Sequence, residues 1–118
     1  MKRFRFGRNV AWVVSDHGSE FHLSRLLWTR AGEVRVDVAF MGPGETIGLH
    51  PAGFPQLFCV VQGSGWVQGA DEVEVPIVAD EAIFWASGEL HAVRTEHGLT
   101  AVIVQAEHLD PDATLPTA

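Results

Sequence analysis

The chain alternates. In "EVRVDVAF", residues 33–40, Val34, Val36, Val38 and Phe40 fall at every second position, with Arg35, Asp37 and Ala39 between them. Successive side chains of a β-strand point to opposite faces, so this segment predicts a half-buried strand with the valines and Phe40 turned to the core. Similar short strands are predicted in "SRLLWT", "LFCVVQ", "GWVQ", "EVEVP", "EAIFWA", "HAVRT" and "LTAVIVQA". Turn-forming clusters stand between them: "AGE", "GPGE", "PAGFP", "GSG", "GAD", "SGE" and "EHG". No segment of helical length carries a 3.6-residue apolar period. Many short strands at regular spacing predict an all-β fold, a closed barrel or a sandwich.

Composition narrows the picture. The 118 residues suit one domain, and with 47% hydrophobic and 19% charged residues the chain is globular. The net charge is -7, and four of the eight basic residues (Lys2, Arg3, Arg5 and Arg8) crowd the first eight positions. No basic stripe continues into the body to meet a phosphate backbone, so nucleic acid is not an expected partner. "VAWVV" is too short for a signal-peptide core, and no run approaches the roughly 20 apolar residues of a membrane span. A cytoplasmic protein with no membrane partner is expected. Cys59 is the single cysteine, which excludes an internal disulfide, and its place in "LFCVV" predicts a buried thiol. The last residues, 108–118, are polar and proline-containing and predict an extended tail behind a single domain over 1–107.

Two stretches carry candidate chemistry. From Gly44 the chain reads G-ETIGL-H-P-A-GFP-Q-LFCVVQ-G, closing at Gly63. This resembles the first motif of the cupin superfamily, G-x5-H-x-H-x3-4-E-x6-G: Gly44, His50 and Gly63 match, while Ala52 and Gln56 replace the second histidine and the glutamate. "DEAIFWASGELHAVRT", residues 80–95, is similar to the second motif, G-x5-P-x-G-x2-H-x3-N. Gly88 and His91 match there, and Asp80, Ala86 and Thr95 replace the glycine, proline and asparagine. The resemblance spans roughly residues 33 to 104 and implies a small single-domain cupin with reduced metal motifs. Its fold would be a cupin-type β-barrel, the jelly-roll-like double-stranded β-helix.

Metal-binding cupins hold iron, manganese, nickel, zinc or copper with three histidines and a glutamate. Carried onto this chain residue by residue, the resemblance implies His50, Gln56 and His91 as ligands of a divalent transition metal. Read from the residues alone, these are three polar side chains on separate strand ends, converging on an apolar cup. A glutamine oxygen is neutral and stabilises a dication only as a dipole, so Gln56 also fits a hydrogen bond to a ligand or to an imidazole. His22, on the predicted strand "FHLSRLLW", is a candidate fourth ligand. Otherwise His50 and His91 are buried histidines bonded to each other, to Gln56 or to water. Glu45 and Glu89 flank the motifs in loops and are read as solvated. Phe40, Phe58, Val60 and Trp85 are the expected pocket lining, although period two alone does not say whether Phe84 or Trp85 faces inward. The four tryptophans are otherwise expected to fill the core.

Two functions follow. One is a small-molecule-binding cupin working as a mononuclear metal enzyme, by analogy an oxygenase or an isomerase or lyase. The other is a metal-free cupin that binds or senses a small ligand and acts through a partner chain. Under either, the resemblance implies a homodimer, with "FGRNVAWVVS" able to add a strand across subunits.

Overall fold

The computed structural model describes residues 1–15, 21–29 and 31–118, apart from the side chains of residues 14 and 21–23. Its strands are β1 (Lys2–Arg5), β2 (Trp12–Val14), β3 (Phe21–Leu23), β4 (Val34–Met41), β5 (Thr46–Pro51), β6 (Gln56–Gln68), β7 (Val75–Val78), β8 (Glu81–Trp85), β9 (Leu90–Arg94) and β10 (Leu99–Ala106). Every pairing is antiparallel. The all-β expectation holds, and no described helix is long and apolar enough to cross a membrane.

The central element is β6. "LFCVVQ" and "GWVQ", expected as two strands, are one strand that serves both walls of the barrel. Its first half pairs with β8 and β10, and its second half with β7 and β9. The change of wall occurs at Gly63, which has φ 81° and lies so close to Gly98 that an added Cβ would stand 2.3 Å from that carbonyl oxygen. Only glycine fits both the left-handed backbone and the close approach. One wall then runs β1-β8-β6-β10-β4, and β7, the rest of β6, β9 and β5 form the other.

Alternation on β6 builds two apolar layers. Phe58 and Val60 point between the walls, into a core with Met41, Ile83, Trp85, Val93 and Leu99. Leu57 and Cys59 point outward, under Phe4, Ala82, Val104 and Leu115. Both termini supply that outer cover. β1 pairs with β8, and residues 108–118 are not a loose tail. Leu115 is buried, the Arg5 and Ala118 N–H groups donate to the Pro116 and Arg3 carbonyls at 3.0 Å, and Thr117 bridges to Phe4.

Two strand expectations change, and a third segment is placed. "SRLLWT" is not a strand: adjacent Leu26 and Leu27 both pack on the outer layer, which an alternating strand forbids. "EVEVP" starts later, at Val75, because a turn holds residues 69–74, with the Asp71 carboxylate accepting from the Val73 N–H and Glu72 at φ 60°. "FGRNVAWVVS" contributes β2, which pairs with β3 of its own chain.

β4 is inverted relative to the sequence reading. Met41 and Ala39 lie opposite Leu99 and Ala101 of β10, so the odd-numbered positions face the core. Val34, Val36, Val38 and Phe40 face out, continuing the outer layer beyond the part that the termini cover. Phe40, expected in the pocket, is 78% exposed.

Candidate functional site

The mouth of the barrel is built where β5 and β9 meet. His50 pairs with His91 across this ladder, and Ile47 pairs with Val93. One more residue lies between the two positions on β5 than on β9, so a bulge puts Ile47 and His50 on one side of the strand, Ile47 packed on the core and His50 exposed rather than buried. The imidazole centroids are 4.3 Å apart, and Trp85 stacks on His91 at 4.4 Å. Trp85 is fully buried and donates its indole N–H to the Gln68 carbonyl at 3.1 Å, while Phe84 faces the outer layer. Of the two aromatics, Trp85 is therefore the inward one.

Both histidines have a defined tautomer. His50 Nδ1 lies 2.7 Å from the Gly48 carbonyl oxygen, and His91 Nδ1 lies 3.1 Å from that of Glu89. A carbonyl only accepts, so each Nδ1 carries a proton and Nε2 is the ring nitrogen left for other partners. Burial holds the His91 pKa below the ordinary histidine range, and His50 pushes the same way, against the pull of the Glu89 carbonyl and carboxylate.

Glu89 holds this corner and is not solvated. Burial would raise its pKa, but hydrogen bonds from the N-terminal ammonium at 3.0 Å and from the Ala86 and Ala70 N–H groups outweigh this and lower it. Its backbone carbonyl also accepts from the Ala52 N–H at 3.0 Å. Ala52 therefore lies just past the end of β5, buried and tied to the same turn that aims His91.

The opposite side of the mouth is a row of paired residues. Arg35 on β4 lies beside Gln105 on β10, Gln105 beside Gln56 on β6, and Gln56 beside Trp85 on β8. One row deeper run Asp37, Ile103, Phe58 and Ile83 in the same order. Gln56 is buried at the head of the apolar wall formed by Phe58 and Val60. The sequence pattern hides the facing of Arg35 and Asp37, because the valines of β4 mark the face that turns outward. For Gln105 the parity with Leu99 and Ala101 was the available signal.

Among the described side chains no three His, Cys, Asp or Glu residues come together. Two imidazoles come together, and no described His, Cys, Asp or Glu side chain joins them as the third ligand of a catalytic zinc site. Among the described side chains the set falls short of a resident metal centre. His22 falls on β3, and its side chain lies outside the described residues. His97 is exposed.

No family model matches the chain, and no curated protein matches it by sequence. Solved structures do. A cupin superfamily protein from Desulfitobacterium hafniense superposes with a TM-score of 0.60 at 15% identity, covering 73% of this chain and 77% of that one. An RmlC-like cupin from Shewanella frigidimarina gives 0.61 at 17% identity, over 65% and 68%. A predicted oxalate decarboxylase from Thermotoga maritima gives 0.56 at 26% identity, over 60% and 64%.

Proposed function

We propose that this chain, a small protein of cupin fold, binds a small organic molecule in the barrel mouth without a resident metal. His50, His91 and Gln56 are its polar contacts, and Phe58, Val60 and Trp85 its apolar wall. The observation that supports the reading is the contact of exposed His50 with buried His91 and Trp85, both imidazoles being held at Nδ1 by the Gly48 and Glu89 carbonyls. A few fixed polar groups in an apolar concavity are the general form of a small-molecule site.

The second reading, a mononuclear metal enzyme, draws on the same two imidazoles, since a ligating histidine usually donates its other N–H in this way. Elemental analysis of untagged protein beside the His50→Ala variant separates the two. Metal-free protein whose His91 imidazole signals move on adding small organic ligands supports the binding cup. Near-stoichiometric transition metal, lost in His50→Ala, replaces it with the metal enzyme. In either case Ala52→His with Gln56→Glu is expected to raise metal affinity.

We also propose a homodimer. β4 is an edge strand eight residues long, paired among the described residues only with β10. Its outer face exposes Val36 by 60%, Val38 by 51% and Phe40 by 78%. A second copy related by a two-fold axis covers this strip with its own, edge and face being self-complementary.

A further inference from the structure

The outer apolar layer has an opening. Where residues 26–29 pass residues 107–114, a cavity of about 530 Å³ remains, lined by neither His50 nor His91. Its volume is that of a small-molecule site. Leu26, Leu27 and Leu109 line it, each packed on the outer layer and only half-buried, and Trp28 adds an aromatic side that is 64% exposed. The polar lining accepts hydrogen bonds more than it donates them. The Thr29 hydroxyl donates to the Ala31 carbonyl at 2.8 Å and the Thr114 hydroxyl to the Pro111 carbonyl at 3.4 Å, so both protons are already committed. Glu107 and Asp110 contribute two exposed carboxylates, and among the described residues neither makes an ion pair. His108 is the other titratable group of the wall, and no described lysine or arginine belongs to it. Two arginines stand outside the wall: Arg25 is held 4.9 Å from the Trp28 ring, and Arg35 lies 5.9 Å from that of Phe54. Glu33 stands outside it too, its carbonyl accepting from the Glu107 N–H at 3.2 Å.

We propose that this cavity binds an amphipathic organic cation, a primary ammonium carried on an apolar body. The ammonium sits at Glu107 and Asp110, and the apolar body lies against Leu26, Leu27 and Leu109 beside Trp28. An ammonium donates hydrogen bonds and accepts none, which matches a wall of acceptors. Covering the leucines supplies the non-directional part of the affinity, and the carboxylates select the charge. An organic anion of the same shape meets two like charges at that place and is rejected. The site is separate from the mouth and stands whether or not the mouth holds a ligand.

The test titrates the full chain with three probes of similar shape: phenethylamine, phenethyl alcohol and hydrocinnamate, which carry an ammonium, a hydroxyl and a carboxylate. Calorimetry reads the affinity, and the Trp28 indole and His108 imidazole signals read the position. Phenethylamine should bind most tightly, weaken as salt is added, and move Trp28 and His108 without moving His91. Glu107→Gln with Asp110→Asn should weaken phenethylamine about three- to tenfold and leave phenethyl alcohol unchanged. Both groups are exposed, so the melting temperature of the double variant should match that of the wild type. Equal binding of amine and alcohol, tighter binding of hydrocinnamate, or full phenethylamine affinity in the double variant overturns the proposal. So does a set of probes that leaves the Trp28 and His108 signals in place. Phenethylamine that moves His50 and His91 instead lies in the mouth, which overturns the outer site and supports the mouth as the place of binding.

Discussion

At the scale of single residues, the environment decides what each side chain can do. Trp85 is buried and hydrogen-bonded, yet Trp12 and Trp28 are 43% and 64% exposed, against the expectation that tryptophans fill the core. Arg25 lies 5.5 Å and 4.9 Å from those two rings, so they serve a cationic surface contact. Burial pushes the Cys59 thiol up to about 12, which leaves no thiolate at neutral pH. His91 gives a pH prediction. Its folded pKa is depressed, so protonation favours the unfolded chain. The stability this contributes is fully present above the unfolded value of about 6.5 and is lost as pH falls through the folded pKa. Melting temperature should therefore drop as pH is lowered below about 6.5, with a shallower drop in His91→Gln. Parallel curves for the two proteins would assign the loss to other groups. Glu89 has a lowered pKa and loses its contribution only at more acidic pH, below the usual carboxylate value, so the two windows are distinct.

At the scale of elements, the same alternation has two solutions, and β4 adopted the less obvious one. A strand with valine at every second position satisfies the periodicity with either face inward. The register with β10 chose, because Met41 fits beside Leu99 in the core while Phe40 lies opposite Thr100 on the outside. That choice also delivers Arg35 and Asp37 to the mouth. β6 depends on one residue to cross between walls. Gly63→Ala should cost on the order of 2 to 4 kcal/mol in denaturant unfolding, combining backbone strain with a clash against residues 98 and 99. Gly44 has a similar φ of 77° but open space where a Cβ would sit, so Gly44→Ala should cost only about 1 kcal/mol. Equal costs would mean that the close approach at Gly63 adds nothing. Asp80, in the position of the second motif's first glycine, keeps the glycine-like backbone at φ 75°. The motif's geometry survives the change of residue.

At the scale of the whole molecule, the barrel has two apolar surfaces to bury. The inner one closes on itself between the walls. The outer one is covered over β8, β6 and β10 by the two terminal segments and by Leu26 and Leu27, and that cover stops short of β4. An uncovered apolar strip on a long edge strand is a site of association. Light scattering coupled to gel filtration should give a dimer for the wild-type chain and a monomer for Val36→Lys with Phe40→Glu. Both positions are exposed, so the paired change should leave the melting temperature of the isolated barrel largely intact. A wild-type monomer would show that the strip stays open, and a dimeric double variant would place the interface elsewhere.

The sequence by itself determined the class of fold and picked out His50 and His91, which the structure brings together. Alternation, turn clusters and the spacing of Gly44, His50, Gly63, Gly88 and His91 are local signals, because strand period and left-handed turns depend on neighbouring residues. They also placed Gln56, Phe58 and Val60 on one face. Tertiary structure decided which face of β4 looks inward, that Trp85 rather than Phe84 meets His91, and that residues 108–118 dock on β1. It also bent Glu89 into the turn that aims His91 and brought Arg35 into line with Gln56 from more than twenty positions away in the chain. Each of these rests on register between strands distant in sequence. Register is set by which side chains fill the shared core, and a pattern of period two is blind to that, since shifting a strand by one residue exchanges its faces while leaving the pattern intact.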